Sequence, residues 1–167
     1  EKIFGPGNQY VMTAKHAAQY YGTAIDMPAG PSELLVVADE TCRPSFVAAD
    51  LLSQAEHGPD SEVILLSDNK KVVKEINKEL DIQLANLPRK EIAEKALKNS
   101  RAILFKDVET CIRFSNVYAP EHLILAVENP VLRSREVTSA GSVFLGNYSC
   151  ESAGDYASGT NHTLPTS

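Results

Sequence analysis

Short apolar runs alternate along the chain with longer stretches in which apolar residues recur every three or four positions. The runs have the length of β-strands, and the stretches between them have the spacing of amphipathic helices. Such an alternation is typical of βαβ units and predicts an α/β fold with a mostly parallel sheet flanked by helices. The predicted strands are residues 33–38, 62–67, 101–105, 123–127 and 142–146.

Residues typical of helix ends indicate the boundaries of the first two predicted helices. Asn8 is suited to cap the first helix, and Gly22 is suited to end it. Pro44 is suited to open the second helix, which we expect to run to His57 with Gly58 as its stop. The apolar face predicted for the first helix consists of Val11, Ala14, Ala18 and Tyr21.

The rest of the chain divides into further helices and a polar tail. Asp68 is suited to cap a long amphipathic helix, and shorter helices are predicted from about 88 to 99 and from 107 to 118. From Asn147 onward the sequence is rich in Gly, Ser, Thr, Asn and acidic residues, which indicates a glycine-rich active-site loop at 147–167. Since no linker separates these segments, we interpret residues 1–167 as a single α/β domain.

Composition and charge indicate a globular domain with neither nucleic acid nor a membrane as its partner. Of 167 residues, 43% are hydrophobic and 23% are charged, which suits one well-buried core. The formal net charge is -6, and no block of basic residues could bind nucleic acid or anionic lipid. The apolar runs are far shorter than the ~20 residues that span a bilayer.

The cysteines and the first residues bear on the compartment in which the protein works. Cys42, Cys111 and Cys150 are widely separated and odd in number, so they indicate neither a disulfide framework nor a paired zinc site. The first residues lack the charged and apolar leader of a signal peptide. We therefore expect a cytoplasmic protein and, because the sequence starts without methionine, a fragment of a longer chain.

The stretch GPGNQY is the candidate for a dinucleotide-binding glycine fingerprint. Gly5 and Gly7 have the first spacing of the fingerprint, but Tyr10 stands where the third glycine belongs, and no full strand precedes the stretch. The fingerprint is therefore missing. A tight turn that feeds a helix capped by Asn8 explains the stretch, and a backbone-lined phosphate pocket at that helix start is the alternative.

Polar residues on the second predicted helix indicate a metal site. On a helix, Asp50, Gln54 and His57 form a polar stripe beside the apolar one. The tail adds Asp155 and His162, in a loop rich in glycine and small hydroxyl side chains. A helix histidine, a loop carboxylate and an amide oxygen suit a zinc ion with one coordination position left over. The alternatives are a surface glutamine, a histidine that is favourable near a helix carboxyl end, a turn acid and a surface histidine.

Glu121 and His122 are adjacent at the start of a predicted buried strand. Within a regular strand their side chains would point to opposite faces of the sheet. Pro120 holds the preceding chain extended and places the pair at a turn or strand mouth, where both side chains could converge. A histidine beside a carboxylate is suited to proton transfer near neutral pH, and a carboxylate is suited to activating water. An ordinary solvated strand start is the alternative.

Six stretches of the sequence, in one order, carry a family resemblance. They are GPGNQYV (5–11), DMPAGPSELLVVAD (26–39), ADLLSQAEHGPDS (49–61), NVYAPEHL (116–123), AGSVFLG (140–146) and ESAGDYASGTNHTLPT (151–166). Together they closely resemble the histidinol dehydrogenase family. The resemblance covers the chain from end to end, and because the family's proteins extend beyond both termini, we expect this chain to be a central segment.

The resemblance implies an enzyme of histidine biosynthesis. The family oxidises L-histidinol through an aldehyde to L-histidine with two NAD, and it works as a zinc-containing homodimer. An atypical, incomplete Rossmann-like domain is implied as well, since the glycine fingerprint is missing. From the residues alone, a zinc hydrolase or a non-catalytic binding domain on the same fold stays open as an alternative.

The resemblance also implies roles for individual residues. The zinc ligands match Gln54, His57 and Asp155, and the fourth ligand is a histidine in a later segment that the partner subunit provides. Glu121 and His122 match the acid–base pair. Because one ligand and most NAD contacts lie outside residues 1–167, we expect the isolated chain to be inactive. The remaining implied positions are Ser32 and His162 beside the substrate, which the zinc ligands and His122 also contact, and Asn8 in the NAD region.

Overall fold

The computed structural model describes residues 1–5, 9–26 and 32–156. The strands are β1 (Lys2–Ile3), β2 (Ala24–Ile25), β3 (Glu33–Ala38), β4 (Glu62–Ser67), β5 (Arg101–Leu104), β6 (His122–Ala126) and β7 (Ser142–Leu145). The helices are α1 (Gln9–Tyr20), α2 (Pro44–Ala55), α3 (Lys70–Ala85), α4 (Lys90–Asn99), α5 (Val108–Tyr118), α6 (Pro130–Arg133) and α7 (Ser152–Tyr156), and a 3₁₀ turn spans Ser134–Glu136.

Five parallel strands form the main sheet in the order β5-β4-β3-β6-β7, which confirms the predicted α/β class. The chain builds β3, β4 and β5 outward in one direction and then returns to place β6 on the other side of β3. The direction of winding therefore reverses between β3 and β6. In the register of these central strands, Glu33 pairs with Glu62 and Leu34 pairs with His122.

The central strand β3 is buried along its whole length, because helices cover both faces of the sheet. Alternate side chains of a strand point to opposite faces. Leu34 and Val36 pack into a core with α2, α3 and α4, whereas Leu35 and Val37 pack into a core with α5. The continuous apolar run ELLVVA is thus explained by burial on both sides, which is typical of parallel sheets.

The five strands of the main sheet were predicted to within one residue, whereas β1 and β2 were not predicted and the second helix is shorter than expected. β3 and β4 have the predicted bounds. α2 ends at Ala55, two residues before His57, which lies in the following turn. The N–H of His57 donates to the carbonyl of Gln54 at 3.2 Å. This bond spans three residues, as in a 3₁₀ turn, and not the four of an α-helix.

The apolar face predicted for α1 is wrong. Val11 is 41% exposed and Tyr21 is 88% exposed, whereas Met12 and Lys15 are the buried side chains described in this helix. Lys15 forms an ion pair with Asp26 and donates to the carbonyl of Gly5 at 2.8 Å. This pairing across the chain selects the buried face of α1, and spacing alone did not reveal it.

Two further boundaries differ from the prediction. Asn69, not Asp68, caps α3, and its side-chain oxygen accepts from the N–H of Lys71 at 2.9 Å. The segment predicted as a loop from Asn147 contains the short helix α7. None of the helices in the described ranges is long and apolar enough to cross a membrane.

Candidate active site

The predicted acid–base pair lies at the amino ends of the central strands. Glu121 immediately precedes β6, and His122 is the first residue of that strand. Their neighbour in the sheet is Glu33, the first residue of β3. The ligands of open α/β sheets usually bind at the carboxyl ends, so this strand mouth is at the opposite edge from the one that fold analogy indicates.

The main chain of Glu33 contacts both members of the pair. Its N–H donates to Oε2 of Glu121 at 3.1 Å, and its carbonyl oxygen lies 3.3 Å from Nδ1 of His122. Nδ1 of His122 is also 3.8 Å from Oε2 of Glu121. The two side chains are 9% and 11% exposed for Glu121 and His122, respectively. One peptide segment thus holds a carboxylate and an imidazole side by side at the rim of the sheet.

These contacts fix which nitrogen of His122 carries a proton. A carbonyl oxygen can only accept a hydrogen bond, and so can a carboxylate. Both groups lie next to Nδ1, so in the neutral ring Nδ1 is the donor and Nε2 keeps the free lone pair. Nε2 is therefore the atom that can take a proton from a substrate.

A left-handed turn brings the adjacent pair together. α5 ends at Ala119, whose φ and ψ are 56° and 57°, and Pro120 follows. The carbonyls of Pro120 and Glu121 accept from Gly141 and Ser142 at 3.0 and 2.9 Å. These bonds hold Glu121 at the entry to the sheet, where its carboxylate folds back beside His122. The side chains of Glu121 and His122 therefore converge after a turn, as the sequence analysis expected.

Three glutamates stand side by side at this edge of the sheet. Glu62, Glu33 and Glu121 belong to β4, β3 and the start of β6, which are consecutive strands. Over the whole residue, main chain included, Glu33 and Glu121 are 7% and 6% exposed, and Glu62 is half-buried. The hydroxyl of Tyr118 donates to Oε2 of Glu62 at 3.2 Å. We call these three residues the glutamate row.

The sequence analysis missed Glu33, Glu62 and Tyr118. A signal was present, because the strand runs ELLVVA and EVILLS both begin with a glutamate directly before buried apolar residues. A charged residue is rarely buried unless it is paired. A glutamate at the start of two buried strands was therefore a sign of a cluster of polar side chains at this edge of the sheet.

Gln54 is the predicted metal ligand with the most distinctive environment. It is 0% exposed in the last turn of α2, and among residues 1–5, 9–26 and 32–156 neither its amide oxygen nor its amide nitrogen has a hydrogen-bond partner. A buried polar group without a partner is costly and calls for an explanation. His57 lies three residues further on and is exposed. An unsatisfied buried amide beside an accessible imidazole fits a metal ion that binds at the end of α2.

Asp50 and Glu151 link this helix to the chain before α7. Asp50 lies one turn before Gln54, and burial, followed by the negative charge of Glu151, raises its pKa to about 7. Glu151 is 3% exposed and directly precedes α7. Asp155 is part of α7, one turn beyond Glu151. The negative charge of Glu151, directly before α7, therefore acts on α2 one turn before Gln54.

The other predicted positions are placed only in part. Ser32 is half-buried directly before β3, and its carbonyl accepts from the N–H of Glu62 at 3.2 Å. Asn8 and His162 lie outside the described residues, and only the backbone of Asp155 is described. Within the described ranges, no three His, Cys, Asp or Glu side chains are grouped to hold a metal ion. The predicted ligand set is not tested by that absence, since it includes a glutamine and Asp155.

The carboxyl edge of the sheet carries a separate, acidic cleft of about 510 Å³. It lies where the winding reverses, between the ends of β3 and β6, and its lining includes Asp39, Glu40, Asp68 and Glu128. Burial and then the charges of Asp39, Glu40 and Asp107 raise the pKa of Asp68. The lining also contains Arg133, but its four carboxylates outnumber this one guanidinium. The excess of negative charge disfavours the pyrophosphate of a dinucleotide, which agrees with the missing glycine fingerprint.

The sequence is similar to known proteins along its whole length. The sequence model of the histidinol dehydrogenase family matches residues 1–167. The histidinol dehydrogenase of Bacteroides thetaiotaomicron is 58% identical over 165 residues, which cover 99% of this chain and 39% of that protein. That of Pasteurella multocida is 57% identical over 166 residues, again 99% and 39%. The chain therefore spans about 39% of the length of these relatives.

Solved structures give the same picture of the fold. The crystal structure of histidinol dehydrogenase from Elizabethkingia anophelis has a TM-score of 0.95 at 65% identity, and the match covers 99% of this chain and 38% of that chain. The gamma-glutamyl phosphate reductase of Thermotoga maritima has a TM-score of 0.55 at 14% identity over 86% of this chain and 40% of that chain. At so low an identity the second likeness concerns the fold alone.

Proposed function

The chain belongs to the histidinol dehydrogenase family, and from this we propose that the full-length protein oxidises L-histidinol through L-histidinal to L-histidine with two NAD. The proposal includes a zinc-containing homodimer that works in the cytoplasm, both features carried over from the family resemblance. The observation that supports it most strongly is the pair Glu121 and His122, held 3.8 Å apart by the main chain of Glu33.

His122 is the proposed base for both oxidations. In the first, Nε2 takes the proton of the substrate hydroxyl while the carbon loses a hydride, which leaves an aldehyde. In the second, Nε2 takes a hydroxyl proton of the hydrated aldehyde as the carbon loses its second hydride, which leaves the acid. The carbonyl of Glu33 beside Nδ1 stabilises the imidazolium that forms each time, because Nδ1–H remains its donor.

Glu121 is the proposed base for the hydration between the two oxidations. Its carboxylate takes a proton from water as the oxygen adds to the aldehyde carbon, and the aldehyde oxygen takes up the proton that Nε2 of His122 holds from the first oxidation. The hydrogen bond from the N–H of Glu33 to Oε2 fixes the orientation of this carboxylate beside His122. This division of labour gives the carboxylate and the imidazole different steps, although they share one anchor.

Gln54, His57 and Asp155 are the proposed zinc ligands of this chain. The fit rests on Gln54, whose buried amide has no hydrogen-bond partner in the described part of the chain and whose oxygen can serve as a zinc ligand. When bound, the ion supplies positive charge that holds the imidazole and amino nitrogens of the substrate in register. His57 is accessible for this role because it lies in the turn after α2.

The described residues do not hold NAD in the usual way. The cleft where the sheet reverses its winding has four carboxylates and one guanidinium in its lining, an excess of negative charge that disfavours the pyrophosphate. Asn8, the proposed NAD contact, lies outside the described residues. In this proposal the dinucleotide is therefore held mainly by parts of the full-length enzyme beyond this chain.

The test is steady-state NADH formation by the full-length, zinc-loaded enzyme, started from L-histidinol and, separately, from L-histidinal. We expect His122→Gln to lower kcat with both substrates by about 100-fold or more. His16→Gln is the matched control, since His16 is exposed on α1. A His122→Gln enzyme as active as the control would overturn the proposed role, and a wild-type enzyme that forms no NADH from histidinol would overturn the function.

A further inference from the structure

The proposed base Glu121 is buried, yet each turnover must release protons to water. Oxidation of an alcohol to a carboxylate with one added water frees more than one proton. Glu121 is 6% exposed, so a proton that it takes from water needs a route out. We propose that Glu33 and Glu62 form this route: the proton passes from Glu121 to Glu33, then to Glu62, and from Glu62 to solvent. This inference rests on the proposed function.

The register of the sheet places Glu33 and Glu62 side by side. They are direct partners at the amino ends of β3 and β4, so their side chains leave the same face of the sheet. That face is the one covered by α5, since Leu35 and Ile64, two residues further along each strand, pack against α5. The Cβ atoms of such partners lie about 5 Å apart, so the carboxyl groups of two paired glutamates can reach one another.

Glu121 connects to Glu33 through the edge of the sheet. The N–H of a strand residue points along the plane of the sheet toward its neighbour, and the N–H of Glu33 ends at Oε2 of Glu121. The carboxylate of Glu121 thus lies level with the sheet at its rim. Oε2 of Glu121 lies 3.8 Å from Nδ1 of His122. The side chain of His122 leaves the α2 face of the sheet, as does that of Ile124 two residues further on. Oε2 also accepts from the main chain of Glu33, whose side chain leaves the α5 face. Glu121 is therefore the junction between the two faces.

Glu62 is the outlet of the row. It is half-buried, whereas Glu33 is 7% exposed, so exposure increases along the route. Tyr118 donates to Oε2 of Glu62 at 3.2 Å. Burial, with the charges of Glu33 and Glu62, raises the pKa of the phenol, so Tyr118 stays a donor throughout. In the described part of the chain, His122 is a further titratable group beside the row, at its inner end.

Carboxyl groups in a row are suited to pass a proton along. A carboxylate can accept a proton on one oxygen, and the carboxylic acid that forms can donate it again. When Glu121 becomes protonated, its O–H bond breaks as a new one forms on Glu33. The O–H of Glu33 then breaks as one forms on Glu62, and Glu62 gives its proton to water. The three groups end the cycle as they began, so no further reactant is needed.

The experiment compares Glu33→Gln and Glu62→Gln in the full-length, zinc-loaded enzyme with L-histidinal as substrate. Glutamine keeps the size and leaves the main-chain bond of Glu33 in place but cannot relay a proton. We expect Glu33→Gln to lower kcat by on the order of 10- to 100-fold with KM little changed, and Glu62→Gln to lower kcat less. The solvent deuterium isotope effect on kcat should rise in both. Added acetate should restore part of the lost rate, because a small carboxylate can accept the stranded proton and does not resemble the imidazole of the substrate.

Controls separate a relay from a structural role and from the proposed function itself. Glu91→Gln, at an exposed position of α4, should leave kcat, the isotope effect and the buffer response unchanged. If wild type forms no NADH, the proposed function fails. If wild type is active but both row variants match Glu91→Gln, or lose rate with no isotope effect and no rescue, the relay is wrong. Should Glu33→Gln not fold, Glu62→Gln decides alone.

Discussion

The main-chain N–H of Glu33 donates to Oε2 of Glu121 at 3.1 Å, although the two residues are 88 positions apart in the chain. The bond joins the amino ends of β3 and β6, which became neighbours only because β6 returns past β4 and β5. A single buried bond therefore ties the topology of the sheet to the position of the proposed base.

Replacement of Glu121 separates this structural bond from its chemical role. In Glu121→Ala the buried N–H of Glu33 loses its acceptor, which costs about 1–3 kcal/mol of the free energy of unfolding. In Glu121→Gln an amide oxygen remains to accept, so we expect a loss below about 1 kcal/mol. Both variants lack the base and should oxidise histidinal slowly. Urea denaturation of the full-length protein measures the difference, and equal stability of the two variants would contradict the structural role of the bond.

Replacement of Gln54 should act in opposite directions on stability and on metal binding. The buried amide has no hydrogen-bond partner among the residues that the structure describes. Gln54→Met, which is similar in size and apolar, should therefore stabilise the zinc-free protein by about 1 kcal/mol. The same change removes a proposed ligand oxygen, so zinc affinity should fall by at least about 10-fold. Thermal unfolding in chelator and zinc titration calorimetry measure the two effects.

Gln83 provides the matched control for that experiment. Its side-chain nitrogen donates to the carbonyl of Ser45 at 2.8 Å, so its amide is satisfied. Gln83→Met should destabilise the protein by about 1 kcal/mol and leave zinc affinity unchanged. If Gln54→Met behaved like Gln83→Met in both measurements, Gln54 would be a structural residue and not a ligand.

The buried carboxyl of Asp50 should make stability depend on pH. Burial and Glu151 raise its pKa from 3.8 to about 7 in the folded state. Between these values the folded chain keeps a proton that the unfolded chain has lost, so the free energy of unfolding falls as the pH rises. Asp50→Asn removes this dependence. It should be more stable than wild type at pH 8, by on the order of 1–4 kcal/mol, with no difference near pH 3.

Urea denaturation at several pH values, with zinc removed by chelator, measures the effect of Asp50→Asn. Asp81→Asn is a suitable control, since Asp81 is exposed on α3 and its replacement should shift stability little at any pH. Parallel stability curves for wild type and Asp50→Asn across this range would show that Asp50 is not held in its neutral form.

The sequence revealed the class of fold because its strongest signals are local. Runs such as ELLVVA must be buried on both sides, so their length and boundaries follow from hydrophobicity alone. The face of α1 did not follow in this way, because the bond between Lys15 and Asp26 buries a charged residue that spacing assigns to solvent. α2 also ended two residues before the predicted end. A 3₁₀-like turn and a further turn of α-helix place His57 in similar positions, so the sequence pattern did not distinguish them.

The glutamate row shows why part of the site was missed. Glu33, Glu62 and Glu121 are far apart in the chain, and they meet only because β3 lies between β4 and β6. Strand order is a property of the whole fold, so no local pattern contains it. Glu121 and His122 could be proposed in advance because they are adjacent in sequence and follow Pro120, whereas the partner that holds them, the main chain of Glu33, has no sequence signature.

The turn before Glu121 contains a residue that can be improved. Ala119 caps α5 with φ at 56°, in the left-handed region, where a side chain costs about 1 kcal/mol. Ala119→Gly removes that cost, while the more flexible unfolded chain takes back about 0.4–1 kcal/mol. We expect a net gain of up to about 0.5 kcal/mol in urea denaturation, with unchanged activity because the turn keeps its shape. Asn129→Gly is the control, in which we expect no gain in stability: Asn129 also has a positive φ, 52°, but asparagine tolerates this region. A loss of stability in Ala119→Gly as large as in a mid-helix Ala→Gly change would show that this residue is not left-handed.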